Sequence, residues 1–369
     1  LWHPDTDTVL GRLPAAWVQT MRFSADGSHL LTFGRTLQSW LLPTQPRPVR
    51  LHSAFSKVAG GGLSAVIPRP DGAEVVLCPG DGGLQVLDPG DGRRVMRDVF
   101  QPHVLKGGQF VAGDRFVAFA AGRPSLREYD SRTWRPLRTI DHGGVKRAIG
   151  LASGWLLLAP YIPAVRGVPP GSLIPADLAV SAKMTDPFVD VSVSADSTKA
   201  ALVDGGGHIW LVRDGERPVF TRLFDDPAAR TVALDPDGRL LAVGRLHDVQ
   251  LRELPGNRVL QTVDSGGDRI HDVAISSGRR YVAAGLLRRS TRVWRVADGT
   301  LVAILRGHNR RVSSVAFAQE GRMLVTGSWD GTARLWDMSG LETPAERVIE
   351  AVRADWGMGL QDALGAPVR

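Results

Sequence analysis

Nine histidines, a single cysteine and 38 carboxylates are the groups in this 369-residue chain that could ligate a metal or move a proton. Their spacing decides how far they lead. No His-x-x-x-His occurs and Cys78 stands alone, so neither a zinc-binding helix nor a cysteine-rich zinc site can be assembled from local sequence. Acidic pairs such as Asp5/Asp7 and Asp88/Asp91 lie in turns and do not match a calcium loop. The clusters Gly60-Gly61-Gly62, Gly80-Asp81-Gly82-Gly83 and Gly205-Gly206-Gly207 lack the Gly-Lys-Ser/Thr and the helix start that make a phosphate cradle, and read as turn glycines. No Gly-x-Ser-x-Gly elbow is present. His271 and His308 sit near strand starts, where structural hydrogen bonding is the expected role. The expectation is therefore no metal, no cofactor and no enzyme. A catalytic site would have to gather residues distant in sequence, as carboxylates or histidines converging in space.

Arginine is the more informative residue. Of 45 basic residues only five are lysine, a skew that resembles coding bias. From Arg269 to Gly340, however, twelve arginines face five acids, an excess equal to the +7 formal charge of the whole chain. Nucleic acid is not the expected partner of this field, because no groove-reading helix or interleaved aromatics accompany it. An acidic protein surface fits. No run of eighteen apolar residues occurs, so no membrane span is expected, and 43% apolar content suffices for a large core.

The elements that carry these residues repeat. Val315-Ala316-Phe317 to Val325 reads as a strand, a tight Glu320-Gly321 turn and a second strand. The same phrase returns at Met21 to Leu31 around Asp26-Gly27, at Val66 to Val76 around Pro70-Asp71-Gly72, and at Val232 to Ala242 around Asp235-Pro236-Asp237-Gly238. With Phe23, Ile67, Phe110, Ile149, Val193, Leu234, Ile275 and Phe317 as equivalents, the spacings are 44, 43, 39, 44, 41, 41 and 42 residues. Eight units follow one another, each reading as four short strands with Asp-Gly, Gly-Gly or proline turns. One such sheet cannot bury both faces alone; radial stacking around an axis can. An all-β propeller of seven or eight four-stranded blades is the predicted fold.

In the last unit the residues carry a resemblance. Gly307-His308, Val312 to Phe317, Thr326-Gly327-Ser328-Trp329-Asp330-Gly331-Thr332 and Leu335-Trp336-Asp337 resemble one complete tryptophan-aspartate (WD) repeat at 307–337. Trp40, Trp210 and Trp294 stand at the equivalent third-strand position of units that lack the Gly-His. The resemblance implies a structural hydrogen-bond set of His308, Ser328, Asp330 and Trp336. It further implies that loops joining second to third strands, and one blade to the next, share the face most used for binding. On that face it places Arg288 and Arg289 of the seventh unit, Arg310 and Arg311 of the eighth, and Trp329, residue types that dominate interface energetics once desolvated.

The ends differ from the middle. Leu1-Trp2 to Leu13 aligns without a gap on Val293-Trp294 to Leu305, so residues 1–14 read as the end of a preceding repeat or as a closing strand, with Val9 to Leu13 able to supply the outer strand of the last blade. On that alignment a repeat array begins upstream of Leu1, and the blade count stays open between an eight-bladed ring and a seven-bladed ring with one unit over. Residues 15–340 form the predicted propeller. In 341–369, Thr343 with Glu346 forms a capping box, Pro344 suits the first helical position, and Val348, Ile349, Val352 and Trp356 share one face of a short C-terminal helix. Five prolines between 160 and 175 predict a long loop in the fourth unit. The functional expectation is a cytoplasmic, non-enzymatic scaffold that binds an acidic protein partner. The rival is a sensory or regulatory propeller of a larger bacterial multidomain protein, such as a serine/threonine protein kinase, and a channel enzyme is the third reading.

Overall fold

A computed structural model describes residues 2–3, 8–9, 18–23, 29–34, 37–41, 48–50, 62–69, 71–79, 83–88, 94–98, 105–111, 114–120, 125–141, 145–160, 162, 164–174, 176–178, 186–338 and 341. The short alternating segments pair locally into antiparallel sheets, as hairpin-connected strands do. Six sheets are built from four consecutive strands each: blade 1 (63–98), blade 2 (105–141), blade 3 (145–177), blade 4 (188–225), blade 5 (231–264) and blade 6 (270–306). Blade 7 takes three strands from 312–337 and its fourth from Pro48–Arg50. The eight equivalent positions of the sequence repeat each fall on the last or next-to-last residue of a first strand.

The ring closes at seven. Innermost strands of successive blades lie side by side, and Val312–Ala318 of blade 7 packs against Leu63–Pro68 of blade 1. The first unit, Val18–Phe23, His29–Gly34 and Leu37–Leu41, forms a separate three-stranded sheet, so the eight-bladed alternative is set aside. The slot open to Val9 to Leu13 is filled by Pro48–Arg50, while Thr8–Val9 pairs with Trp2–His3.

Apolar clusters fill each seam of the ring. Val76, Val86, Phe116, Tyr129 and Trp134 join blades 1 and 2, and Leu63, Val66, Val75, Val325 and Leu335 join blades 7 and 1. Fully burying one such Val, Leu or Phe stabilises by roughly 1.5–3 kcal/mol relative to exposure. Cys78 lies buried in blade 1, and burial pushes its thiol up to about 12, which keeps it an inert core residue.

Two polar devices complete the ring. After the first strand, Ser194, Asp235 and Ser276 each accept the backbone N–H five residues on, from Lys199, Leu240 and Tyr281 at 3.0, 2.6 and 2.9 Å. The innermost strand is also a sheet edge with unpaired backbone groups. Side chains of the preceding blade satisfy them: Asp190 accepts from Val232 (3.0 Å), Ser192 from Leu234 (2.9 Å), Asp272 from Val315 (2.8 Å) and Ser314 from Val66 (3.3 Å).

Residues 160–175 are not one long loop. Arg166–Val168 forms the third strand of blade 3, pairing with Leu156 to Leu158 on one side and Ala176–Asp177 on the other. Pro169 and Pro170 fall just beyond it, so the prolines punctuate the strand and do not interrupt it. The predicted C-terminal helix, from Thr343 to Trp356, lies outside the described residues, and no helix among those described is long and apolar enough to cross a membrane.

Candidate protein-interaction face

Each innermost strand starts at one face of the ring, where the blade-to-blade loop meets the loop between second and third strands. Backbone hydrogen bonds tie these loops together: Trp329 N–H donates to the Arg311 carbonyl (3.1 Å), Leu287 to Arg269 (2.9 Å) and Ile270 to Leu246 (3.1 Å). The repeat register puts Leu246, Leu287 and Trp329 at the same position, twelve residues after Leu234, Ile275 and Phe317. All three are exposed, at 40%, 38% and 48%. Large apolar side chains at one register on three consecutive blades form a repeated feature, which scattered surface leucines do not.

The arginines flank them. Arg288, Arg289 and Arg310 are exposed, and Arg311 is half-buried. Asp268 accepts the backbone N–H of Arg288 (3.0 Å), which holds the loop of blade 6 while leaving the guanidinium outside. Arg289 has a φ of 74°, a left-handed conformation uncommon for a side-chain-bearing residue, at the tip of that loop. Arg311 lies over the Trp329 ring, 3.0 Å from the guanidinium carbon to the centroid. That stacking orients both side chains, and desolvation of Arg311 holds its pKa below the ordinary arginine value. On the other side, the Trp329 backbone is pressed by Gly62, where any Cβ would collide with the Trp329 Cα, so glycine is required at the seam between blades 7 and 1.

The loop of Trp329 is held from within by the histidine set. His308 Nδ1 meets Asp330 Oδ2 at 3.1 Å and its Nε2 meets Thr326 Oγ1 at 2.8 Å; Trp336 Nε1 donates to the same hydroxyl at 2.9 Å. Ser328 does not stand between histidine and tryptophan. Its hydroxyl donates to the Arg310 carbonyl (3.1 Å) and accepts the Asp330 N–H (3.1 Å), pinning the loop, while Thr326, absent from the set read in the sequence, is the hub. Burial lowers the His308 pKa against the pull of Asp330, and the Asp330 carboxyl is driven far below its usual value by His308, Thr332 and the Asn309 N–H, which outweigh its burial. Gly307 approaches by a φ of +154°, with the Arg334 guanidinium where a side chain would go. Blade 4 builds a variant in which Asp204 takes the place of Thr326, accepting from Trp210 Nε1 (3.3 Å) and bonding His208 (2.8 Å).

Inside the ring the innermost strands of all seven blades line a cavity of about 850 Å3. Asp190 and Asp272 reach it and share Thr231, whose hydroxyl lies 2.6 and 3.5 Å from them. Burial, then the neighbouring Asp190 charge, pushes the Asp272 carboxyl up to about 7. These carboxylates converge as a channel enzyme would require, but Asp190 Oδ2 and Asp272 Oδ2 accept N–H groups of the next blade, and Asp272 Oδ1 accepts the N–H of Val273 in its own strand. Among the described residues no three His, Cys, Asp or Glu side chains gather as a metal site needs.

The architecture defines a seven-bladed β-propeller, and the histidine set of blade 7 resembles that of a WD repeat. The family described as "WD domain, G-beta repeat" matches residues 299–337. The chain is similar to a periodic tryptophan protein 2 homolog of Neurospora crassa, 43% identical over 67 residues, 18% of this chain and 8% of that one. A guanine nucleotide-binding protein subunit beta of Arabidopsis thaliana is 28% identical over 178 residues, 44% of each chain. A WD repeat-containing protein of Synechocystis is 34% identical over 106 residues, 28% of this chain and 30% of that one. The chain spans less than half the length of these curated relatives. In fold, repeat period and the motif at 299–337, the chain is similar to the WD-repeat β-propellers.

Proposed function

We propose that this propeller is a non-enzymatic scaffold whose face at blades 6 and 7 docks an acidic segment of a partner protein. The observation that carries this reading is the row of Leu246, Leu287 and Trp329 at one register, set among Arg288, Arg289, Arg310 and Arg311. An aromatic anchor beside exposed guanidinium groups suits a partner with apolar side chains between carboxylates. The charges speed encounter, and the tryptophan slows release. Similarity to a G-protein beta subunit supports a scaffold role, and the lone, inert Cys78 accords with a cytoplasmic setting.

The test compares wild type with an Arg288→Glu, Arg310→Glu, Trp329→Ala variant in a cross-linking pull-down, with circular dichroism confirming that both fold. Mass spectrometry of the cross-linked peptides is expected to return acidic segments with the wild type only, with capture weakening as salt rises. Equal capture by the folded variant would mean that this face is ordinary solvated surface, and would turn attention to residues 160–175 and 343–356.

A further inference from the structure

The mouth of the channel holds three basic side chains that the docking face does not use, Arg230, Arg269 and His271, beside Arg311, which belongs to both. Arg230, Arg269, His271 and Arg311, from blades 5, 6 and 7, all line the same cavity. Among the described residues, neither Arg269 nor Arg311 has a carboxylate in ion-pair distance, and the Arg311 Nε is buried with no hydrogen-bond partner. His271 lines the same cavity, and burial, then the charges of Arg311 and Arg269, lower its pKa. Arg230, Arg269 and His271 are exposed and Arg311 half-buried, all lining one concavity with basic groups, a setting that favours entry of an anion.

The acids of the cavity do not neutralise them. Asp272 lies three residues deeper along its strand than Arg269, roughly 10 Å at the rise of an extended chain. One oxygen of Asp272, like one of Asp190, accepts an N–H group of the next blade, and the others face Val273 N–H and Arg147. Two of the cations are fixed in advance, which lowers the ordering cost of binding. Arg311 is stacked on Trp329, and Arg230 donates to the Pro227 and Ala229 carbonyls at 2.8 and 2.6 Å.

We propose that the channel mouth is a phosphate-binding site in which Arg269 and Arg311 grip a phosphoryl group, with His271 and Arg230 alongside. A carboxylate would satisfy one guanidinium and leave the rest uncompensated. A phosphoryl group carries close to two charges at neutral pH, with three acceptor oxygens for several forks at once. The site shares Arg311 with the docking face, but binding of free phosphate is measured with no partner present, so the two readings fail separately.

The experiment titrates the full chain with inorganic phosphate, pyrophosphate and a phosphoserine peptide, each followed by 1H–15N spectra of the His271 ring and by calorimetry. Expected are saturable one-to-one binding and a rise in the His271 pKa on saturation, since a nearby anion favours the imidazolium. Arg269→Gln with Arg311→Gln weakens binding at least about tenfold, a loss of about 1.4 kcal/mol, while Arg258→Gln on the outer strand of blade 5 leaves it unchanged. Should the double variant fail to fold, Arg311→Lys alone tests the fork, keeping the charge but losing the paired donors. A phosphopeptide preferred over phosphate assigns the group to a protein partner; phosphate or pyrophosphate preferred assigns a free ligand. Absence of saturable binding at millimolar phosphate, or equal binding by a folded double variant, overturns the site.

Discussion

Thr326 is one hydroxyl serving two buried rings. It is fully buried, it takes the indole N–H of Trp336, and it pairs with His308 Nε2. Replacing it with valine keeps the shape and removes both bonds, leaving an indole N–H and a ring nitrogen unsatisfied in the core. Such orphaned groups cost about 1–3 kcal/mol each. Thr326→Val is therefore expected to lower unfolding free energy by about 2–4 kcal/mol, with the Trp336 indole proton moving upfield in an NMR spectrum. Ser328→Ala, whose bonds lie at the loop, is expected to cost about 1 kcal/mol and to leave that resonance in place. An equal loss in both variants, with no indole shift, would remove Thr326 from the hub.

Among the elements, Pro48–Arg50 has the greatest leverage for its length. Its three residues pair with Arg334, Leu335 and Trp336 and cover the open edge of the last blade. A chain beginning at residue 45 retains this strand; one beginning at residue 53 exposes the edge of Ala333–Asp337, which invites edge-to-edge association. The shorter chain is expected to be less stable by about 1–3 kcal/mol, from the net worth of a few ladder hydrogen bonds, and to aggregate on heating. Thermal unfolding with light scattering on the two truncations decides it. Matching melting temperatures and equal solubility would show that the strand closes nothing.

For the whole molecule, two groups tilt stability with pH in opposite directions. Asp272 has its folded pKa raised to about 7, so the folded state holds a proton the unfolded chain has released between about pH 4 and 7, and stability falls as pH rises through that window. His308 has its folded pKa lowered, so the unfolded chain binds the extra proton, and stability is lost as pH falls below about 6.5. Asp272→Asn is expected to flatten the decline in unfolding free energy between about pH 4 and pH 7, checked by urea titrations at intervals. An unchanged slope would place that proton elsewhere.

The sequence by itself determined the repeat, the strand pairs and the one full WD motif, because these rest on local matters. Alternation, turn residues and a period near 42 residues are visible in any single unit, and the eight equivalent positions land alike on their strands. It also placed Arg288, Arg311 and Trp329 in the loops where they are found. What it left open depends on how units meet. Seven blades or eight is set by the angle at which twisted sheets pack, which no one repeat encodes. The closing strand is chosen from segments of similar pattern by which of them reaches the open edge. Thr326 and Ser328, two residues apart, point to the same side of their strand, so spacing could not say which meets His308 and Trp336; only the packed ring did. The common cavity lined by Arg269, His271 and Arg311 likewise joins residues from two different repeats, and exists only once the inner strands stand side by side around the channel.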